Sequence, residues 1–124
     1  MDHKDLIVWQ KAILLTQVIY SLTKQFPRDE VFGLTNQIRR AVISVPSNIA
    51  EGFNRGSDKE FIYFLKVAKG SAAEVETQLI ISKKLNYIND DDVKPALDLY
   101  NEIVRMLGTL IIKIEKKLER KADL

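Results

Sequence analysis

The sequence predicts an all-α protein folded as an antiparallel up-down-up-down four-helix bundle. Three observations predict it. Apolar residues recur at alternating spacings of four and three through four separate segments, the period of a helix with one buried face. No convincing run of strand-like alternation appears anywhere. The segments are separated by three short stretches carrying proline, glycine or consecutive aspartates, and short connections make consecutive helices antiparallel neighbours. A chain of 124 residues is sized for a single domain, residues 1–124, that can bury a core.

The first segment spans roughly Asp5 to Gln25, with Val8, Ala12, Leu15, Ile19, Leu22 and Phe26 as its seam. Trp9, Ile13 and Tyr20 widen that stripe. Phe26-Pro27 ends it, because a residue before proline is pushed out of the α region. Asp29 is the expected N-cap of the second segment, which runs to about Phe53 with the seam Val31, Leu34, Ile38, Ala41, Val45, Ile49. Pro46 falls inside it and cannot donate to the Val42 carbonyl. A kink is expected there, or a break recapped by Ser47 or Asn48. Gly52 and Gly56 punctuate the exit.

Ser57-Asp58-Lys59-Glu60 opens the third segment as a Ser-x-x-Glu capping box. Its seam is Phe61, Leu65, Ala68, Ala72, Val75, Leu79, Ser82, and Gly70 to Ala73 make its middle thin enough for a neighbour to approach closely. Asn89 to Asp92 form a turn and an N-cap, with anions favourable at a helix start. Pro95 is tolerable only in the first turn that follows. The fourth seam is Val93, Leu97, Tyr100, Val104, Leu107, Ile111, Ile114, Leu118, with a second row of Leu99, Ile103, Met106 and Leu110 beside it. The third and fourth helices, at about 28 residues, would each reach roughly 42 Å.

Composition narrows function. With no cysteine, disulfides, thiol nucleophiles and thiolate metal sites are excluded. His3 is the only histidine, so neither a Glu-x-x-His di-iron bundle nor a Ser–His pair can be built. Gly-rich phosphate cradles are absent, and no cofactor or metal is expected. Carboxylates at Glu51, Glu74 and Glu76 read as surface charge or ion-pair partners. The N-terminus is charged, and the longest charge-free stretch, Ala12 to Thr23, is too short for a membrane span. The expectation is a soluble, cytoplasmic protein that is not an enzyme. Net charge is +2, distributed as +2 over residues 1–56, −2 over 57–92 and +2 over 93–124. One subunit is therefore only mildly basic, and a ring of copies would multiply any basic face.

The most informative stretch runs from Phe32 to Gly52 and on to Arg55. It concentrates a proline, two asparagines, a glutamine and the paired Arg39 and Arg40 on a few helical turns. In one reading this is a kinked helix whose polar residues, Gln37, Asn48, Glu51 and Glu74 among them, pair across the bundle or across subunits. Arg39 or Arg40 would then pair with a carboxylate such as Glu51 or Glu74, since a buried unpaired guanidinium is costly. In the other, Arg39, Arg40 and Arg55 bind phosphate through their forked donors. The terminal run with Lys113, Lys116, Lys117 and Arg120 could track a phosphate backbone, although such runs are most often solvated helix ends. Surplus apolar surface on the first and fourth helices points to self-association.

Residues Asp5 to Ala12, the central stretch, and Glu60-Phe61 through Gly70-Ser71, Glu74 and Glu76 resemble the four-helix bundle proteins encoded in intervening sequences of bacterial 23S rRNA genes. The resemblance covers nearly the whole chain. More distantly the chain is similar to the accessory protein of diversity-generating retroelements, a basic pentamer that binds nucleic acid and a reverse transcriptase. This likeness implies a homopentameric ring and nucleic-acid binding. The leading expectation is a homo-oligomeric bundle binding RNA, DNA or a nucleic-acid-binding protein. Its rival is a structural or adaptor protein whose polar residues serve only the subunit interface.

Overall fold

The computed structural model describes residues 1–123. Four α-helices follow one another: α1 Ile7–Thr23, α2 Leu34–Phe53, α3 Asp58–Lys84 and α4 Asp90–Ala122. One-turn 3-10 helices at His3–Asp5 and Arg28–Glu30 precede α1 and α2, and there is no strand among the described residues. Each helix packs on its chain neighbours, and α1 closes the square against α4. The predicted all-α four-helix fold is the one observed.

The predicted seams face inward. All six residues of the first seam are buried, as are Ile38, Ala41, Val45 and Ile49 of the second. Leu65, Ala68, Ala72, Val75, Leu79 and Ser82 line α3, and Val93, Leu107, Ile111 and Ile114 line α4. Ile103, from the second apolar row of α4, is fully buried, while Leu99, Met106 and Leu110 of that row are only partly covered. Val42, Ile62 and Ala96, at positions between the seam residues, and Ile88, ahead of α4, complete the buried apolar core among the described residues.

Several local expectations are corrected. Asp29 does not cap α2; it lies in the 3-10 turn, and the helix begins at Leu34 after Gly33, which offers no side chain. Glu30 fills the vacancy. Its Oε1 accepts from Leu34 N at 3.4 Å and its Oε2 from the Tyr87 hydroxyl at 2.9 Å, placing an anion at a helix N-terminus. Val31 therefore precedes the helix and is exposed. Helix α2 is continuous through Pro46, so the break recapped by Ser47 or Asn48 is not made; Pro46, Val42, Val45 and Ile49 are all buried. Pro95 is the sixth residue of α4 and not in its first turn. Its ring and the Asp91 it deprives of a donor are both exposed, where water can serve the carbonyl.

At the start of α3 the capping box is half made. Ser57 Oγ accepts from Glu60 N at 3.1 Å, but the Glu60 carboxylate turns to Arg55 instead, 3.9 Å away. Asn89 and Asp92 make the reciprocal box at α4, at 2.8 and 3.2 Å. Helix α3 has 27 residues, near the expected length, but α4 has 33, about 50 Å.

Glycine roles also differ from expectation. Gly52 does not end α2 but lies within it, buried, where a Cβ would come 2.7 Å from Phe64 Cβ. It marks a close approach of α2 and α3. Gly70 faces open space; the thin position of α3 that meets α2 is Ser71, its Oγ 2.8 Å from Ser44 Oγ. Gly56, at φ 88°, takes the left-handed turn that joins α2 to α3.

Candidate nucleic-acid interface

Successive residues on a helix point about 100° apart, and this rotation divides Arg39 from Arg40. Arg39 turns toward α1, where it is half-buried. Its Nε donates to Thr23 Oγ1 at 2.8 Å, and its guanidinium lies 4.5 Å from the centroid of the Tyr20 ring. A longer bond, 3.5 Å, reaches the Tyr20 carbonyl in the last turn of α1. A cation there is favoured by the helix dipole, and the aromatic face adds to it. Arg39 has no carboxylate partner among the described residues, so the expected ion pair is not seen there. A hydroxyl, a ring and a carbonyl replace it, which suffices because the group keeps contact with water.

Arg40 turns outward into a polar groove between α2 and α3. The groove has a volume of about 470 Å³ and is lined by Asn36, Gln37, Arg40, Ser44, Glu74 and Gln78. Arg40 is exposed, and among the described residues it forms no ion pair, so the expected bond to Glu51 or Glu74 is not made. Gln37, also exposed, projects from the same wall. At the groove floor Ser44 Oγ and Ser71 Oγ are 2.8 Å apart, and Asn48 Nδ2 donates to Ser44 O and Oγ at 2.8 Å each. The Asn48 amide N–H groups are thus engaged within α2. Gln78 Oε1 is buried and has no hydrogen-bond partner among the described residues, an acceptor for which burial without a donor is costly.

The other predicted cations lie elsewhere. Arg55, in the turn after α2, donates to Glu51 at 2.6 Å and covers the Phe64 ring at 5.1 Å. Glu51 is therefore its partner, not that of Arg39 or Arg40. Fifteen residues of α2 and its exit separate Arg40 from Arg55, about 20 Å along the axis. Lys113, Lys116, Lys117 and Arg120 are all exposed on the last turns of α4, at the Arg55 end of the bundle. Lys117 is engaged by Asp58 of α3 at 3.3 Å, and Lys121 reaches the same carboxylate at 3.5 Å. One subunit therefore carries two separated basic features, Arg40 at the α1–α2 turn end and the α4 tail at the other. The fate of Arg39 could not be read from sequence, because Thr23 is 16 residues away and on another helix.

No group of three or more histidines, cysteines or carboxylates that could hold a metal occurs among the described residues, and no helix there is long and apolar enough to cross a membrane. Two phenols have raised pKa values. The hydrogen bond to Glu30 raises Tyr87, whereas burial, followed by the nearby Glu76 charge, raises Tyr100.

Comparison with known proteins places this geometry. A solved structure from Bacteroides thetaiotaomicron, described as a protein with unknown function from the S23 ribosomal protein family, is 26% identical. It superposes with a TM-score of 0.78, over 85% of this chain and 98% of that one. No curated protein matches. The family model for 23S rRNA-intervening sequence proteins matches residues 4–109, from the first 3-10 turn well into α4. The chain belongs to the 23S rRNA-intervening sequence protein family.

Proposed function

We infer that the protein is a non-enzymatic, homo-oligomeric bundle that binds nucleic acid or a nucleoprotein through cations left free by the fold. The observation that carries this reading is Arg40, an exposed guanidinium with no carboxylate partner among the described residues, set in a groove lined by amides, hydroxyls and the Glu74 side chain. Forked donors suit phosphate, and amides suit sugar and base edges. Lys113, Lys116 and Arg120, exposed and without ion pairs among the described residues, add a second point of phosphate contact. Repetition of both features in an oligomer would supply the charge that a single subunit at +2 does not concentrate.

Retardation of RNA and DNA across a salt series tests this. Affinity should fall with salt by a slope of about −0.9 per phosphate contact on duplex DNA. Arg40→Ala should weaken binding and flatten that slope by roughly one unit without changing sequence preference. Wild-type protein that retards neither nucleic acid at low salt would overturn the reading. The adaptor alternative would then lead, and one observation favours it: Glu74 lies in the Arg40 groove without contacting Arg40, as two halves of an ion pair made between subunits would.

A further inference from the structure

We propose that the cleft between the end of α1 and the start of α2 seats a terminal phosphate of a nucleic-acid strand, held by Arg28, Arg39 and the Thr35 hydroxyl. It rests on the nucleic-acid reading above and names the part of the strand that this end of the bundle takes. The cleft has a volume of about 410 Å³, and Pro27 and Val31 line it beside those three residues.

Thr35 is the residue that points to a ligand. It is only 8% exposed. Thr16, Thr23, Thr77 and Thr109 each return their hydroxyl to the carbonyl four residues back. Thr35 makes no such bond, because four residues back lies Val31, ahead of the helix. Its oxygen has no partner among the described residues, yet it is not sealed from water as Gln78 Oε1 is. The side chain is thus buried while its hydroxyl opens to the cleft, and an unmade bond at such a site is costly.

Two guanidiniums converge on the same cleft. Arg28 is exposed and makes no ion pair among the described residues, so all five of its N–H donors are free. Arg39 spends Nε on Thr23 and one Nη2 hydrogen on the Tyr20 carbonyl, which leaves three donors. The Tyr20 ring backs its guanidinium at 4.5 Å, fixing it before a ligand arrives. Paired cations suit a phosphate monoester, at about −1.5 to −2 charge at pH 7, better than the single charge of a diester. Neither acid of the turn lines the cleft: Glu30 is held by Leu34 N and the Tyr87 hydroxyl, and Asp29 is exposed.

Position selects a strand end as the source of that phosphate. Thr35 is the most covered of the three polar residues, and a phosphate reaches it more readily end-on than with chain on both sides. Arg40 directly follows Arg39 and opens into the polar groove on the other side of α2, where the rest of the strand can continue. Pro27 and Val31, both exposed, offer the terminal sugar or base an apolar surface.

Fluorescence anisotropy with one single-stranded oligonucleotide, carrying a phosphate at one end, at the other or at neither, tests the assignment. Wild type should bind one of the phosphate-ended forms about tenfold more tightly than the hydroxyl-ended form. Arg28→Ala and Thr35→Val should each remove most of that preference, whereas Arg40→Ala should weaken all forms alike. Thr35→Val keeps the buried volume and deletes only a hydroxyl without a partner, so its urea midpoint should not fall. Preference lost at unchanged stability separates recognition from folding. Equal binding of all forms by wild type would overturn the assignment and leave nucleic-acid binding standing. A preference that survives both Arg28→Ala and Thr35→Val would do the same. Adenosine monophosphate or inorganic phosphate competing as tightly as the phosphate-ended strand would overturn the strand end as the source. No binding of any form at low salt would overturn both readings.

Discussion

Alanine at Gly52 should destabilise the bundle, whereas alanine at Gly70 should stabilise it. Both glycines are helical, so the intrinsic preference for alanine favours the substitution at each, by up to about 1 kcal/mol. Their surroundings differ. A Cβ at Gly52 would stand 2.7 Å from Phe64 Cβ, 3.1 Å from Phe61 Cδ1 and 3.3 Å from the Phe61 carbonyl oxygen. Phe64 Cβ and a backbone oxygen cannot swing aside, so α3 itself must move. Overpacking of this kind costs about 1–3 kcal/mol. Gly52 is also one residue from the end of α2, where the propensity gain is reduced. A net loss of about 1–2 kcal/mol follows. At Gly70 nothing lies within 4 Å of the added carbon, and a gain of about 1 kcal/mol stands unopposed. Urea unfolding followed by far-UV circular dichroism, at one protein concentration for all variants, measures both; a fixed concentration matters because association shifts apparent stability. A Gly52→Ala protein as stable as wild type would refute the close approach, and a destabilised Gly70→Ala would refute the open surface.

Other outcomes follow from single contacts. Asn86, at φ 63°, ends α3 in a Schellman turn, with Tyr87 N on Ser82 O and Asn86 N on Lys83 O, each at 3.0 Å; Asn86→Val should cost about 1–2 kcal/mol and Asn86→Gly nothing measurable by the same unfolding assay. Arg39→Ala should lose about 1–2 kcal/mol with its bond to Thr23 and its cover over Tyr20, while Arg40→Ala should stay within about 0.5 kcal/mol of wild type; equal losses would contradict their different environments. The Glu30 bond raises the Tyr87 pKa above its ordinary 10.0, so the folded state holds that proton more tightly. Its contribution is full below 10.0 and lost as pH rises through the raised value. Tyr87→Phe should therefore show a shallower alkaline decline in urea midpoint than wild type, and superimposable declines would count against the bond.

What the sequence disclosed follows the range of the interactions involved. Period and local capping are short-range, so the seam of α1, the caps at Ser57 and Asn89, and Gly56 as punctuation after α2 were legible. Contacts between helices were not. Glu30 serves α2 through a carboxylate that also meets Tyr87, 57 residues on, and no local rule anticipates it. Gly52 looked like punctuation because a tight helix crossing leaves the same residue as a helix end. Val31 fitted the apolar period but stands before the helix, since the 3-10 turn consumes the residues in which that period would have begun. For the candidate site, the sequence supplied the residue types of the groove but could not distinguish Arg39 from Arg40. Their difference depends on which neighbouring helix each one faces.

The shared carboxylate of Asp58 bears on how ions act on this molecule. It is an exchangeable counterion built into the chain, occupying Lys117 and Lys121 on the last turns of α4. A phosphate approaching that tail competes with it before any dissolved anion is displaced. Added salt acts on both sides of the competition: it screens the phosphate, and it loosens these solvent-exposed pairs. If the tail binds nucleic acid, the two effects oppose at Lys117 and Lys121, and these lysines would contribute less to the salt slope than their number suggests. Arg40, with no anion in contact among the described residues, would respond to salt in full.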